Sequence, residues 1–188
     1  MHHISLLVLL GLTIIFYFIY VQLIKARNKV KEASSGIDVQ LKKRYDLIPN
    51  LLNMAAKFME HEKTLMEEIT KLRTQAMENS FSGNPKQQIE LENLLDKKLK
   101  DFTLSVENYP DLKSNQTMLQ AMNSLNEVEE HIAAARRFYN ASVNELKNRA
   151  EIFPGNVVAK LVNVKADMPF FEAEAAAKES IDSREFFK

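Results

Sequence analysis

The stretch that decides the fold runs from Leu23 to Met59 and reads LIKARNKVKEASSGIDVQLKKRYDLIPNLLNMAAKFM. Its apolar residues return at steps of three and four, which is the spacing of one face of an α-helix. They are Leu23, Ala26, Val30, Ala33, Ile37, Leu41, Tyr45, Ile48, Leu52, Ala55 and Met59. The pattern predicts a long amphipathic helix with a narrow apolar stripe like that of a coiled coil.

The same spacing continues beyond the quoted stretch, through Ile69 to Ala76. The first clear break follows at residues 79–85, where Gly83 suits a turn, Asn84 can cap the next helix and Pro85 suits its first turn. We therefore expect the first helix to continue as far as this break.

Pro49 lies inside the predicted first helix. Proline lacks a backbone N–H and its ring clashes with the preceding turn, so we expect a kink just before Pro49. The alternative is that one helix ends at Ile48 and another begins at Pro49.

An apolar segment precedes the stripe. Residues 4–21 carry no charge, and the apolar run resumes after Gln22 and ends at Ile24. A helix over residues 4–24 is about 31 Å long at 1.5 Å per residue, which matches a hydrocarbon core of about 30 Å. We predict a transmembrane anchor over residues 1–24 that continues into the first long helix. A cleaved signal peptide is the alternative, but the basic start and the small-residue cleavage site are both missing.

The charges flanking the apolar segment predict its orientation. No Lys or Arg precedes it, whereas Lys25, Arg27, Lys29 and Lys31 follow it directly. The positive-inside tendency places the N-terminus outside and the remainder in the cytoplasm. These four residues, which we call the basic collar, are candidates for contact with anionic lipid head groups. Alternatively, they only stop transfer and solvate the helix.

Two further long helices are expected. The second has its stripe at Leu91, Leu94 or Leu95, Leu99, Phe102 and Val106, and the third at Met118, Met122, Leu125, Glu129, Ile132, Arg136, Tyr139, Val143, Leu146 and Ala150. A second break at residues 109–114 separates them, Ser114 or Asn115 can cap the third helix, and residues 153–155 end it. Shorter helices are expected over residues 157–164 and 170–180, followed by a frayed tail.

Composition supports an all-α fold. The 188 residues include only 4 Gly and 5 Pro, too few for the turns of a sandwich or barrel, and there is no Cys to form a disulfide or a thiolate metal site. We predict a transmembrane helix that continues into an antiparallel up-down bundle of three long helices and shorter C-terminal pieces. The expected divisions are residues 1–24 as anchor, 25–168 as cytoplasmic bundle, and 169–188 as a short helix and tail.

No arrangement typical of catalysis or of a cofactor was found. His61-Glu62 begins like the helical motif of a zinc protease, but the position of the second histidine is Leu65. The sequence contains no glycine-rich phosphate loop and no nucleophile motif. We therefore predict no enzymatic activity, no metal and no cofactor.

Several polar residues lie on or beside the stripes. Arg136 falls on the inner stripe of the third helix, where an unpaired guanidinium would be costly. We expect Arg136 or Arg137 to form an inter-helix ion pair with Asp38 or Asp46, which would set the register of the bundle. The alternative is that both arginines extend to water along their aliphatic stems.

Several blocks of the sequence resemble the bacterial LemA family. They are RNKVKEAS at 27–34, IDVQLKKRYDLIPNL at 37–51, YPDLK at 109–113, IAAARRFYN at 132–140 leading to Phe153-Pro154, and PFFEAE at 169–174. The resemblance extends over nearly the whole chain. It implies a single-span protein of the bacterial plasma (inner) membrane with an antiparallel helical bundle, and it supplies no catalytic residues. Some relatives are associated with membrane organisation.

The leading functional prediction is a non-enzymatic, membrane-anchored scaffold that holds protein partners or copies of itself. The long stripe suggests lateral self-association, hence a homo-oligomer. The alternative is a module that binds anionic lipid or shapes the membrane through the basic collar and residues 157–164. Nucleic-acid binding is not expected, because the basic residues adjoin the bilayer and residues 51–188 carry 18 basic and 22 acidic side chains.

Overall fold

The computed structural model describes residues 2–171. This part of the chain is helical and contains no strand. The elements are α1 (His2–Ala55), a 3-10 turn (Glu60–Glu62), α2 (Lys63–Glu78), α3 (Pro85–Val106), α4 (Pro110–Lys113), α5 (Gln116–Glu151) and α6 (Gly155–Leu161).

Helix α1 is continuous over 54 residues and passes through Pro49 without a break. The alternative of a helix end at Ile48 is therefore wrong. The N-terminal part of α1 contains a window with a mean hydropathy of 2.6 that is entirely unburied, so this helix is long and apolar enough to cross a membrane. From Leu23 onward the predicted stripe is buried in the bundle, as expected.

The prediction of one first helix reaching residue 76 is wrong. Helix α1 ends at Ala55, and the chain reverses through residues 56–62 into α2. The reversal uses backbone hydrogen bonds from Phe58 and Met59 to the carbonyl of Ala55, both 2.9 Å long. It contains no Gly or Pro, so nothing in the sequence marks it. Ala55 and Met59 are both fully buried, so the apolar residues keep their spacing of three and four across the turn, as they would in one continuous helix.

Within residues 2–171 the bundle consequently has four long helices rather than three. Pairs of contacting residues show that α1 and α5 are antiparallel, because Lys29 contacts Glu145 while Arg44 contacts Glu129. Helix α2 returns along α1 and α3 runs parallel to α1, which completes an up-down-up-down order. The resulting core is one large apolar cluster, and a second, smaller cluster joins Leu23 of α1 to α6.

Asparagine side chains begin two of the long helices, as the sequence suggested. Asn84 accepts a hydrogen bond from the backbone N–H of Gln87 and is followed by Pro85 in the first turn of α3. Asn115 accepts hydrogen bonds from the backbone N–H groups of Thr117 and Met118 at the start of α5. Each cap satisfies backbone donors that the first helical turn leaves free.

The C-terminal part of the described chain folds back along the bundle. After α5, a tight corner leads into α6, and residues 162–171 then run as an irregular strap. The strap is held at Phe171, whose ring stacks on Phe81 at 5.0 Å and meets Tyr139 edge-on. The predicted helix over 170–180 is not helical at residues 170 and 171, and its remainder and the predicted frayed tail lie outside the described residues.

Candidate functional site

The membrane-proximal end of the bundle contains the basic collar. All four of its side chains are exposed on α1. Lys29 donates a hydrogen bond to Glu145 of α5 at 2.8 Å and lies 5.9 Å from the ring of Phe138. Lys25 directly follows the apolar segment. Arg27 and Lys31 border a 410 Å³ crevice that reaches Tyr139 and Met168.

A buried charged cluster lies at the middle of the bundle. Arg44 of α1 is fully buried and forms ion pairs with Glu92 and Asp96 of α3 and with Glu129 of α5, the last at 2.9 Å. Arg136 of α5 joins it through Asp96 at 2.9 Å. Two guanidinium groups therefore meet three carboxylates from two helices. We call these five residues the Arg44 cluster.

Tyr45 and Gln88, whose side chains are uncharged, extend the cluster through hydrogen bonds. The Tyr45 hydroxyl donates to the carboxylate of Glu92. Gln88 donates from Nε2 to the Tyr45 oxygen at 2.9 Å and to Glu92 at 2.8 Å. Glu92 and Gln88 are essentially unexposed, so their polar groups depend on these partners.

The electrostatics of the cluster favour its ionised form. Burial by itself would lower the pKa of Arg44, but the charges of Asp96 and Glu129 outweigh it and raise that pKa. Burial by itself would raise the pKa of Asp96, but Arg44 and Arg136 lower it. Burial also raises the pKa of Tyr45 to about 12, which keeps its hydroxyl protonated as a donor.

The structure does not bring together the residues of the predicted ion pair. Arg136 pairs with Asp96 rather than with Asp38 or Asp46. Asp38 instead accepts hydrogen bonds from the backbone N–H of Phe81 and the hydroxyl of Ser82, both at 2.8 Å, and holds the loop between α2 and α3. Asp46 pairs with Lys42 along α1 at 3.4 Å. Arg137 is exposed.

Sequence reasoning missed Arg44, although a signal was present. Arg44 lies three residues after Leu41 and four before Ile48, so it occupies the same helical face as the apolar stripe. Glu129 and Arg136 were already on the stripe of the third helix. A charged residue at a stripe position of each of two helices is the pattern expected for a buried pair.

The Arg44 cluster is suited to a structural role. The carboxylates converge on guanidinium groups, and no group of three or more His, Asp or Glu side chains within residues 2–171 could hold a metal ion. Buried charges joining three helices fix which faces meet, because any other register would leave a charge unpaired.

The apolar stripe of α1 is covered by the same chain. Its residues form the core with α2, α3, α5 and the strap. The stripe is therefore not exposed to a second copy of the chain. The expectation of a homo-oligomer was based on this stripe, and it has no other support in the described residues.

Comparison with known protein sequences relates the chain to one family. The sequence profile of the LemA family matches residues 33–183. The chain is also similar to Protein LemA of Metamycoplasma hominis, with 26% identity over 175 residues, which is 91% of this chain and 78% of that protein.

Proposed function

The chain belongs to the LemA family, and from that premise we propose that it is a non-enzymatic scaffold anchored in the bacterial plasma membrane. In this proposal the apolar segment crosses the bilayer with its N-terminus outside. The bundle then stands at the cytoplasmic face and recruits protein partners. The basic collar after the apolar segment supports this orientation.

One observation carries the proposal. Helix α1 runs without interruption from the apolar segment into the core of the bundle, so the two share one stiff element. A flexible linker would let a domain reorient freely, whereas a continuous helix holds it at one height and angle. A fixed surface above a membrane suits recruitment.

Inserting a flexible Gly-Ser linker between Ile24 and Lys25 tests the proposal. If rigid presentation matters, partners that co-purify with the wild-type chain from native membranes should be lost while the bundle stays folded. The same linker inserted between Glu107 and Asn108, two exposed residues distant from the membrane end, is the control. Recovery of the same partners with both insertions, or of no partner with the wild type, would contradict the proposal. The particle size measured in the same preparation reports self-association.

A second candidate function is binding of anionic lipid through the basic collar. Lys25, Arg27 and Lys31 are exposed at the end of the apolar segment, where each cation near an anionic surface contributes about 1 kcal/mol. Replacing these three residues by Gln should reduce the phosphatidylglycerol that co-purifies with the full chain in mild detergent at low salt. The control replaces three exposed lysines toward the opposite end of the bundle, Lys57, Lys63 and Lys71. Equal lipid retention in both variants would discard this function.

A further inference from the structure

An exposed apolar patch lies at the corner between α5 and α6. Four large apolar side chains there are mostly exposed: Ile152 at 65%, Phe153 at 76%, Val157 at 50% and Leu161 at 70%. They lie within ten residues of one another. Large apolar side chains grouped in this way on a protein surface indicate an interaction site.

The corner lies beside the last turns of the apolar segment. Val158 and Ala159 of α6 form a small buried cluster with Leu23 of α1, and Ile19 packs against it. Arg149, just before the corner, donates a hydrogen bond to the side chain of Gln22. The patch is thus placed next to residues that themselves belong to the apolar segment.

The height of the corner follows from helix geometry. Ile19 is five residues before Ile24, the end of the apolar segment, and five residues correspond to about 7.5 Å of rise. Amphipathic helices that lie in a membrane interface bury their apolar face by about 5–10 Å. If the hydrocarbon core ends at Ile24, this rise places the patch at the boundary between head groups and acyl chains.

The charges around the patch complement an anionic bilayer. Residues 145–167 contain four basic side chains, Lys147, Arg149, Lys160 and Lys165, and three acidic ones, Glu145, Glu151 and Asp167, so this segment carries a small positive excess to which the collar adds. The basic collar lies at the same end of the bundle. A positively charged rim around an apolar patch is the composition of a surface that enters the interface of an anionic membrane.

Gly155 makes the corner tight. A Cβ atom at this position would lie 2.0 Å from the backbone oxygen of Arg149. Only glycine permits this approach, which brings α6 back beside α1 immediately after α5 ends.

From these observations we propose that residues 152–161 form a second membrane contact, inserted into the interface beside the transmembrane helix. Bilayer lipid is the occupant of the patch, because the patch is continuous with the lipid-facing surface of the apolar segment. Attachment at two points prevents the bundle from swinging about α1 and sets its tilt. The inference rests on the membrane anchoring in the proposed function and not on partner recruitment.

The absence of cysteine allows a direct test with single-cysteine variants of the full chain. Phe153→Cys and Leu161→Cys are spin-labelled, and the chain is reconstituted at one copy per nanodisc in phosphatidylcholine and phosphatidylglycerol. Collision rates with oxygen and with a water-soluble nickel chelate measure immersion. Leu12→Cys in the apolar segment is the membrane reference, and Leu104→Cys on α3 is the aqueous control, with a leucine 61% exposed. Far-UV circular dichroism confirms that each variant is folded.

We expect labels at 153 and 161 to give an oxygen-to-nickel collision ratio several-fold above that at 104, approaching that at 12. Ratios at both corner positions equal to that at 104 would overturn the proposal. Protection that arises only with several copies per disc, or only after a cytoplasmic extract is added, would assign the patch to a second copy or to a protein and overturn it as well. If the anchoring itself fails, the label at position 12 will show the collision ratio of an aqueous site. If only the scaffold function fails, no partners will co-purify with the chain while the collision ratios at 12, 153 and 161 stay as expected.

Discussion

Arg73 donates its Nε hydrogen to the backbone carbonyl oxygen of Tyr45 at 2.6 Å. Tyr45 lies four residues before Pro49, so its carbonyl is the one that would accept the N–H of residue 49 in an uninterrupted helix. Proline has no such N–H. The side chain of α2 therefore supplies the hydrogen bond that Pro49 cannot, and α1 continues through the proline.

This relationship predicts coupling between Pro49 and Arg73. Arg73→Met should lower the free energy of unfolding by about 1–3 kcal/mol, because it leaves a carbonyl inside the bundle without a donor. In a Pro49→Ala background the same change should cost less, since the alanine introduced there offers its own N–H to that carbonyl. Urea denaturation of the full chain in detergent, followed by circular dichroism, measures all four members of the double-mutant cycle. Lys71→Met, at an exposed position of α2, is the control; additive effects of the two changes would contradict the prediction.

Arg44 should be the most sensitive single position of the bundle. Arg44→Met should cost about 3–5 kcal/mol, because the buried Glu92 and the half-buried Asp96 then lose their main counter-charge. The double variant Arg44→Met with Glu92→Met should recover part of this loss, since it removes one uncompensated carboxylate. The midpoint of urea unfolding provides the measurement. A double variant less stable than Arg44→Met would show that the charges themselves stabilise the fold.

The contribution of Asp96 should depend on pH. Its pKa in the folded chain is lowered from the ordinary value of 3.8. The ionised form therefore stabilises the fold fully above pH 3.8, and this stabilisation is lost as the pH falls from there through the lower folded-state pKa. Asp96→Asn should therefore be less stable than the wild type at neutral pH, and the difference should shrink in acid. Thermal unfolding at a series of pH values tests this. Glu60→Gln, in the exposed 3-10 turn, controls for the loss of one negative charge. A pH-independent difference between Asp96→Asn and the wild type would argue against the ion pairs.

Asn140 should hold the strap to α5. Its side chain donates to the carbonyl of Phe171 at 2.8 Å and accepts from the N–H of Phe171 at 3.0 Å. Asn140→Ala leaves both backbone groups without these bonds, so we expect faster proteolysis and hydrogen exchange between residues 162 and 171. Asn144→Ala, at an exposed position one turn along α5, should leave both rates unchanged. Equal protection in the two variants would mean that the aromatic contacts of Phe171 alone hold the strap.

Two glycines should respond in opposite directions to alanine. Gly155→Ala should be destabilising by about 1–3 kcal/mol, because its Cβ would overlap the Arg149 backbone oxygen. Gly36→Ala should be stabilising by about 0.5–1 kcal/mol, because Gly36 lies inside α1 with no atom within 4 Å of the added Cβ. Thermal unfolding of the two variants measures both effects. A stabilised Gly155→Ala variant would show that the corner can relax.

The sequence by itself determined the helical class, the buried stripe from Leu23 to Met59 and the cap at Asn84, and it narrowed the cap of α5 to Ser114 or Asn115. These features depend on residue spacing and on local hydrogen bonds, both of which are readable along the chain. The apolar segment before the stripe was equally visible, because its length and lack of charge are properties of the sequence alone.

Only the tertiary structure decided where the first helix reverses and which charges pair. The turn after Ala55 uses residues that also suit a helix, and it forms because α2 buries Met66, Ile69 and Ala76 on its neighbours. The register of the helices brings these charged side chains together. Arg44 therefore pairs with Glu92, Asp96 and Glu129, and Arg136 pairs with Asp96. Once the four helices are packed, each buried charge must take the partner that the packing places beside it, and no spacing along a single helix specifies which residue that is.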